Sequence, residues 1–109
     1  MAWLLRDGEV LATVEVADTL SSRLMGLVGR EQIVGGLLLR PGRWTHTVGL
    51  DFPVDVAYCD LSMVVVETRR MPPWRVGVPR LRAGCIVEAP AGAFERWRLV
   101  PGDQLELKD

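Results

Sequence analysis

Turn-forming residues divide this chain into short apolar runs, and this division limits its possible folds more than any other feature. Glycine occurs 11 times and proline seven times among 109 residues. The runs between the turns are too short for a bundle of long helices and have the length of β-strands. The main turn signals are Asp7-Gly8, Gly35-Gly36, Arg40-Pro41-Gly42, Asp60-Leu61-Ser62 and Pro101-Gly102-Asp103.

Most of these apolar runs have the residue pattern of strands. Residues 54–59 alternate between two faces, and residues 63–68 are rich in β-branched side chains, as expected for a hairpin of two strands. The Asp7-Gly8 pair predicts a second hairpin at the amino end of the chain. About seven short strands are expected in all.

Two short helices are predicted in addition to the strands. Leucines recur at helical spacing between residues 18 and 29, and a second helix is expected at residues 93–98. The chain is therefore predicted to be an α+β, mostly β domain. We expect a compact antiparallel sheet or a partly open β-barrel, which occupies residues 1–109 as one domain.

The charge balance argues against nucleic acid as a partner. The chain has 13 basic and 14 acidic residues, which gives a formal net charge of −1. Nucleic-acid-binding domains are usually markedly basic. No apolar segment approaches the ~20 residues of a membrane span. The first apolar run is also shorter than the roughly 7 to 15 residues of a signal peptide. We therefore expect a cytoplasmic protein.

The cysteines do not form a recognisable metal or redox motif. Cys59 and Cys85 lack the Cys-x-x-Cys spacing, and with His46 they are the only cysteine and histidine residues. Structural zinc sites normally use four such ligands. We expect two reduced, packed thiols, no metal and no cofactor.

Five separated motifs, taken together, resemble a known family. They are Val16-Ala17-Asp18-Thr19; Arg23-Leu24-Met25-Gly26-Leu27 with Arg30; the stretch His46-Thr47-Val48-Gly49-Leu50-Asp51-Phe52-Pro53-Val54-Asp55-Val56; Pro72-Pro73-Trp74-Arg75; and Val87-Glu88-Ala89-Pro90-Ala91-Gly92 with Pro101-Gly102-Asp103.

In this order the motifs look like the bacterial domain-of-unknown-function family 192, over residues 10 to 107. The resemblance implies a compact, mostly β domain with a short helix after the second strand. It brings no established activity, cofactor or catalytic residue. This chain departs from the family pattern at the turn after the central strand, which here is Asp60-Leu61-Ser62.

The densest group of candidate site residues lies between Trp44 and Asp55. His46 is the only histidine, and histidine is the side chain whose unperturbed pKa allows proton exchange near neutral pH. A carboxylate of Asp51 or Asp55 could orient the ring as a base. His46 and Asp55 are therefore the candidate catalytic residues. The alternatives are a ligand contact and a purely structural, hydrogen-bonded histidine.

A basic segment supplies the second group of candidates. Residues 68–87 contain five arginines and no acidic residue, with Trp74 among them. Guanidinium groups suit phosphate and carboxylate, and a tryptophan face can stack on a sugar or a base. A solvated loop whose arginines pair with nearby acids is the alternative. The candidate ligand-binding residues are Trp44, His46, Asp55, Trp74 and Arg75.

These patterns favour a small, non-catalytic ligand-binding or protein-interaction module. Its expected partner is a small anionic ligand, a glycan or a protein, and it requires residues 44–48 and 72–76 to adjoin each other. A small hydrolase that uses His46 with Asp51 or Asp55 is the first alternative. A structural or assembly component is the second, and the sequence does not rank the possible oligomeric states.

Overall fold

The strands form one sheet that curls on itself. The structure is a computed structural model that describes residues 2–17 and 35–109. Across the sheet, the strand order is β5-β4-β6-β3-β2-β1-β7. The strands in the described residues are β1 (Ala2–Arg6), β2 (Glu9–Ala17), β3 (Gly36–Leu39), β4 (Val54–Cys59), β5 (Val65–Met71), β6 (Cys85–Pro90) and β7 (Leu105–Lys108).

The two edge strands, β5 and β7, meet at one end and partly close the sheet. Val64 and Gln104 form an isolated antiparallel bridge. Next to it, the amide of Leu105 donates to the carbonyl of Met63 at 2.9 Å. Within the described residues the result is a half-barrel of seven strands, which confirms the mostly β class and the partly open barrel.

The expectation of an antiparallel sheet is wrong at one strand pair. β2 and β3 run parallel, in a register from Val14 opposite Gly36 to Ala17 opposite Leu39. A parallel pair needs a crossover connection, and residues 18–35 are long enough to provide one. The turn signals at residues 35–36 do not reveal this direction, because they are compatible with either a hairpin or a crossover.

Only one of the two predicted helices falls in the described part of the chain. It is α1 (Ala93–Trp97), close to the predicted residues 93–98. The other predicted helix, at residues 18–29, lies outside the described residues, so two helices are not confirmed. No helix within residues 2–17 and 35–109 has the length and apolar character needed to cross a membrane.

The alternation of side chains along the strands produces two apolar layers. The inner layer lies within the curl of the sheet and includes Ala57, Val87 and Phe94 of α1. The outer layer lies on the opposite face of β3, β6 and β4 and includes Val56 and Ile86. The loops that follow β3 and β5 contribute to this outer layer, so the outer face of the sheet is where a site can be built.

Asp55 holds α1 against the sheet. Its Oδ2 atom accepts hydrogen bonds from the amides of Gly92 at 2.9 Å and Phe94 at 3.2 Å. Its Oδ1 atom accepts from Nε of Arg70 at 3.0 Å. The carboxylate is buried and satisfies amides at the start of the helix, as an N-terminal capping group does. This role is structural.

Replacement of Asp55 should therefore cost stability. The Asp55→Ala variant leaves two amides of α1 without their acceptor, and we expect its free energy of unfolding to fall by about 2 to 3 kcal/mol. Urea unfolding followed by circular dichroism measures this loss. Asp51→Ala, at an exposed position, is the control and should change it by less than about 0.5 kcal/mol. Equal unfolding midpoints for the two variants would contradict the capping role.

Candidate functional site

Two loops lie side by side on the outer face of the sheet. We call this pair, residues 43–48 and 74–80, the loop ribbon. His46 and Val76 form an isolated antiparallel bridge at its centre. Further backbone hydrogen bonds run from the amides of Thr47, Gly77 and Arg80 to the carbonyls of Arg75, Thr45 and Arg43, at 2.7, 2.9 and 2.9 Å.

The first segment of the loop ribbon turns alternate side chains toward and away from the domain. Thr45 and Thr47 are buried, whereas Trp44 and Val48 are exposed and His46 is partly exposed. The rings of Trp44 and His46 contact each other, with centroids 5.5 Å apart. This is the division of faces that an extended segment predicts.

Thr47 fastens the two segments to each other with its side chain as well as its backbone. Its hydroxyl donates to the carbonyl of Pro72 at 2.6 Å and accepts from the amide of Arg75 at 2.9 Å. The amide of Trp74 donates to the Thr47 carbonyl at 2.9 Å. Sequence reasoning missed this residue, because a threonine between a histidine and a valine has no distinctive pattern.

Glu88 connects the loop ribbon to the sheet through a side-chain hydrogen bond. It lies on β6, opposite Val56 of β4, and its buried carboxyl group accepts a hydrogen bond from the Thr45 hydroxyl. Burial raises the pKa of Glu88 to about 7, an effect that the hydrogen bond from Thr45 partly offsets. The carboxyl group is therefore protonated at a much higher pH than an exposed glutamate. A glutamate within an apolar strand was the available signal in the sequence.

Arg80 forms a second attachment between the loop ribbon and the sheet. Its guanidinium donates to both carboxylate oxygens of Glu67 on β5, at 2.9 and 3.0 Å, and this contact lowers the pKa of Glu67. The same guanidinium lies 5.2 Å from the ring centre of Tyr58. One arginine thus connects the ribbon to two strands, since Tyr58 belongs to β4.

Gly77 allows the loop ribbon to approach the sheet closely. A Cβ atom at this position would lie 2.9 Å from the Thr45 carbonyl oxygen and 3.1 Å from the Tyr58 hydroxyl oxygen. Both distances are too short for an ordinary carbon contact, so a side chain here would push the segment outward.

A cavity of about 270 Å³ lies between β5 and the second segment of the loop ribbon. We call it the arginine cavity, because three arginines are among its lining residues. The remaining walls are aromatic or apolar. Its lining residues are Tyr58, Arg69, Arg70, Met71, Pro72, Arg75, Val76, Gly77 and Val78.

The three arginines of the cavity differ in how closely their guanidinium groups contact carboxylates of the protein. Arg70 contacts Asp55 at 3.0 Å and Glu95 at 3.2 Å. Arg69 reaches Glu67 only at 4.0 Å, through a side chain that is half exposed. Arg75 is in no ion pair with the residues that the structure describes. Arg69 and Arg75 therefore keep most of their capacity to bind an added anion.

The structure unites four of the five predicted ligand-binding residues and separates the fifth. Trp44, His46, Trp74 and Arg75 all belong to the loop ribbon. Asp55 does not, because its carboxylate faces the inner layer, where Arg70 and the start of α1 hold it. The predicted pairing of His46 with Asp55 is therefore not assembled. Instead, Nδ1 of His46 accepts a hydrogen bond from the Val48 amide at 3.1 Å.

The two cysteines form a contact of their own in the inner layer. Cys59 of β4 and Cys85 of β6 are direct cross-strand partners, and both are buried and reduced. The hydrogen bond between the thiols raises the pKa of Cys59 and lowers that of Cys85. In the described ranges, no three histidine, cysteine or acidic side chains converge to hold a metal ion.

Comparison with known proteins identifies relatives over nearly the whole chain. The model of the DUF192 family, described as "Uncharacterized ACR", matches residues 2–107. A UPF0127 protein of Pyrococcus furiosus is 31% identical over 103 residues, which cover 90% of this chain and 89% of the relative. Since this relative is archaeal, the expectation of a bacterial family is not confirmed.

Two solved structures share the fold. A protein of unknown function from Novosphingobium aromaticivorans has a TM-score of 0.81 at 19% identity and covers 96% of this chain and 82% of its own. A protein from Sinorhizobium meliloti, provisionally described as a transcription regulator, has a TM-score of 0.81 at 24% identity, with 97% and 91% coverage. At these identities the likeness shows the fold alone.

The buried carboxyl group of Glu88 should make stability depend on pH. Its pKa is about 7 in the folded chain and near 4.5 for an ordinary glutamate. The folded chain thus retains the proton over a range in which the unfolded chain loses it. The contribution of Glu88 to the free energy of unfolding is fully present below pH 4.5 and decreases as the pH rises toward 7. Above pH 7 it no longer changes, and the total loss is about 3 kcal/mol.

The Glu88→Gln variant isolates this contribution, because the amide keeps an acceptor for Thr45 and does not ionise. Chemical unfolding of both proteins across this pH range is the measurement. We expect the wild type to lose stability relative to the variant as the pH rises from 4.5 to 7. A difference that stays the same at every pH would show that Glu88 has an ordinary pKa.

Proposed function

The chain belongs to the DUF192 family, described only as uncharacterised, and we propose that it is a non-catalytic binding module for a small anionic ligand. The observation that supports this function is the arginine cavity. Arg69 and Arg75 line the same cavity, and their positive charges are not neutralised by close protein carboxylates.

The cavity walls indicate the kind of ligand. Met71 and Pro72 supply apolar surface, while Tyr58 presents its hydroxyl group close to Gly77. The volume of about 270 Å³ lies just below the roughly 300 to 1,000 Å³ of pockets for drug-sized ligands. A compact molecule with one carboxylate or phosphate group and a small apolar body fits these properties.

The attachments of the loop ribbon support binding rather than catalysis. Thr45 and Arg80 fix the ribbon to the sheet, and Thr47 joins its two segments. The guanidinium of Arg75 therefore starts from an ordered backbone, and less conformational freedom is lost on binding.

Phenyl phosphate and benzoate are suitable probes, with benzyl alcohol as a neutral compound of similar size. We expect calorimetry to detect binding of the two anions and not of benzyl alcohol. Arg75→Gln and Arg69→Gln should each weaken binding about tenfold, because a guanidinium contact to an anion is worth roughly 1.5 to 3 kcal/mol.

Arg82→Gln is the matched control. Arg82 is exposed on the same acid-free segment but does not line the cavity, so its loss should leave the affinity within about twofold. The proposal fails if all three arginine variants bind the anions equally well, or if benzyl alcohol binds as tightly as phenyl phosphate.

A further inference from the structure

The outer side of the loop ribbon exposes an unusual amount of apolar surface. Trp74, Val76 and Val78 are each more than 60% exposed, and Leu81, just beyond the ribbon, is 86% exposed. Trp44 contributes from the neighbouring segment at 39%. Isolated exposed apolar residues are ordinary, but a group of them on one surface marks an interaction site.

The backbone at Trp74 adds to this observation. Its φ angle is 60°, in the left-handed region that bulky residues rarely adopt. The hydrogen bond from its amide to Thr47 helps to hold this conformation. A costly backbone geometry that keeps a tryptophan in solvent is typical of functional sites.

Arginines alternate with these apolar side chains along the chain. Arg43 precedes Trp44, Arg75 follows Trp74, and Arg82 follows Leu81. In the part of the chain that the structure describes, none of these three arginines belongs to an ion pair.

The surrounding sequence has no compensating negative charge. Neither residues 35–50 nor residues 68–87 include an aspartate or a glutamate. The outer side of the loop ribbon is therefore both apolar and positively charged, although the whole chain has a net charge of −1. A partner that binds this surface must therefore present negative charges next to apolar groups.

We propose that the outer side of the loop ribbon, with Leu81, docks on the surface of a membrane that contains anionic lipids. Tryptophan, valine and leucine would enter the boundary between headgroups and acyl chains. The guanidinium groups of Arg43 and Arg82, which do not line the cavity, would stay at the level of the lipid phosphates.

The interleaving of the two residue types is what favours lipid over a protein partner. Arginine and tryptophan also occur in protein interfaces, but a guanidinium that is buried there needs a matched acceptor from the partner. Here almost every exposed apolar side chain has an arginine within two positions, so a protein partner would have to place an acceptor beside each one. A lipid surface requires no such matched set, because phosphates and acyl chains lie only a few ångströms apart in depth over the whole surface.

Sedimentation with lipid vesicles tests the proposal. We expect the wild type to bind vesicles of phosphatidylcholine mixed with phosphatidylglycerol, and to bind phosphatidylcholine alone at least about tenfold more weakly. Added salt should weaken the binding. Replacement of Arg43 or Arg82 by Gln should reduce the affinity roughly fivefold each, since a basic residue near such a surface contributes about 1 kcal/mol.

The apolar contribution has its own matched control. The double variant Trp74→Ala, Leu81→Ala should lose at least about tenfold in affinity for the mixed vesicles. Trp3→Ala, which removes an exposed tryptophan on β1 outside the ribbon, should bind like the wild type. All altered residues are exposed, so thermal unfolding should confirm that each variant folds.

Several results would overturn the proposal. Binding to neither vesicle type would exclude a lipid surface, and equal binding to both would exclude recognition of anionic lipid. An equal loss in Trp3→Ala would place the contact elsewhere. If sedimentation velocity shows a dimer that the double variant abolishes and vesicles do not dissociate, a second copy of the chain occupies this face instead.

Discussion

The hydrogen bonds of Thr47 are the interaction on which the rest of the site depends. One residue uses its amide, carbonyl and hydroxyl groups to hold Pro72 and, in the second segment of the loop ribbon, Trp74 and Arg75. Without these bonds, the polar backbone of an irregular, proline-containing segment would have to find other partners. Because Thr47 provides these hydrogen bonds, the segment can stay close to the sheet, where it forms one wall of the arginine cavity.

The loop ribbon separates two surfaces with different properties. Toward β5 it encloses the arginine cavity, where Arg69 and Arg75 offer positive charge to a small ligand. Toward solvent it presents Trp74, Val76 and Val78 beside other arginines. Val76 and Val78 also border the cavity, so the second segment of the loop ribbon contributes to both surfaces. A ligand in the cavity would contact the same segment whose outer side meets a larger surface.

Much of the fold was predictable because it follows local rules. The Asp7-Gly8 pair has positive φ angles of 52° and 79°, as the predicted hairpin turn requires. The strand at residues 54–59 follows from alternation. The parallel pairing of β2 with β3 was missed, because pairing direction depends on the path of the connection and not on either strand's composition.

The candidate site was predicted in part, for a similar reason. Tryptophan and arginine near turns indicated the surface of the loop ribbon, and the structure brings the expected segments together. Asp55 lies apart from the other candidates, since alternation on β4 directs it to the opposite face from Glu88, next to α1. Thr47 and Glu88 were missed because their importance comes from contacts between residues distant in sequence.

The central claim is that the loop ribbon is an ordered, hydrogen-bonded element of the free protein. Hydrogen exchange of the individual amides, measured by NMR, tests it most directly. The amides of Thr47, Trp74, Arg75 and Gly77 all donate within the ribbon and should exchange far more slowly than in an unfolded peptide. Exchange of these four amides at the unfolded-peptide rate, while those of β4 stay protected, would contradict the account.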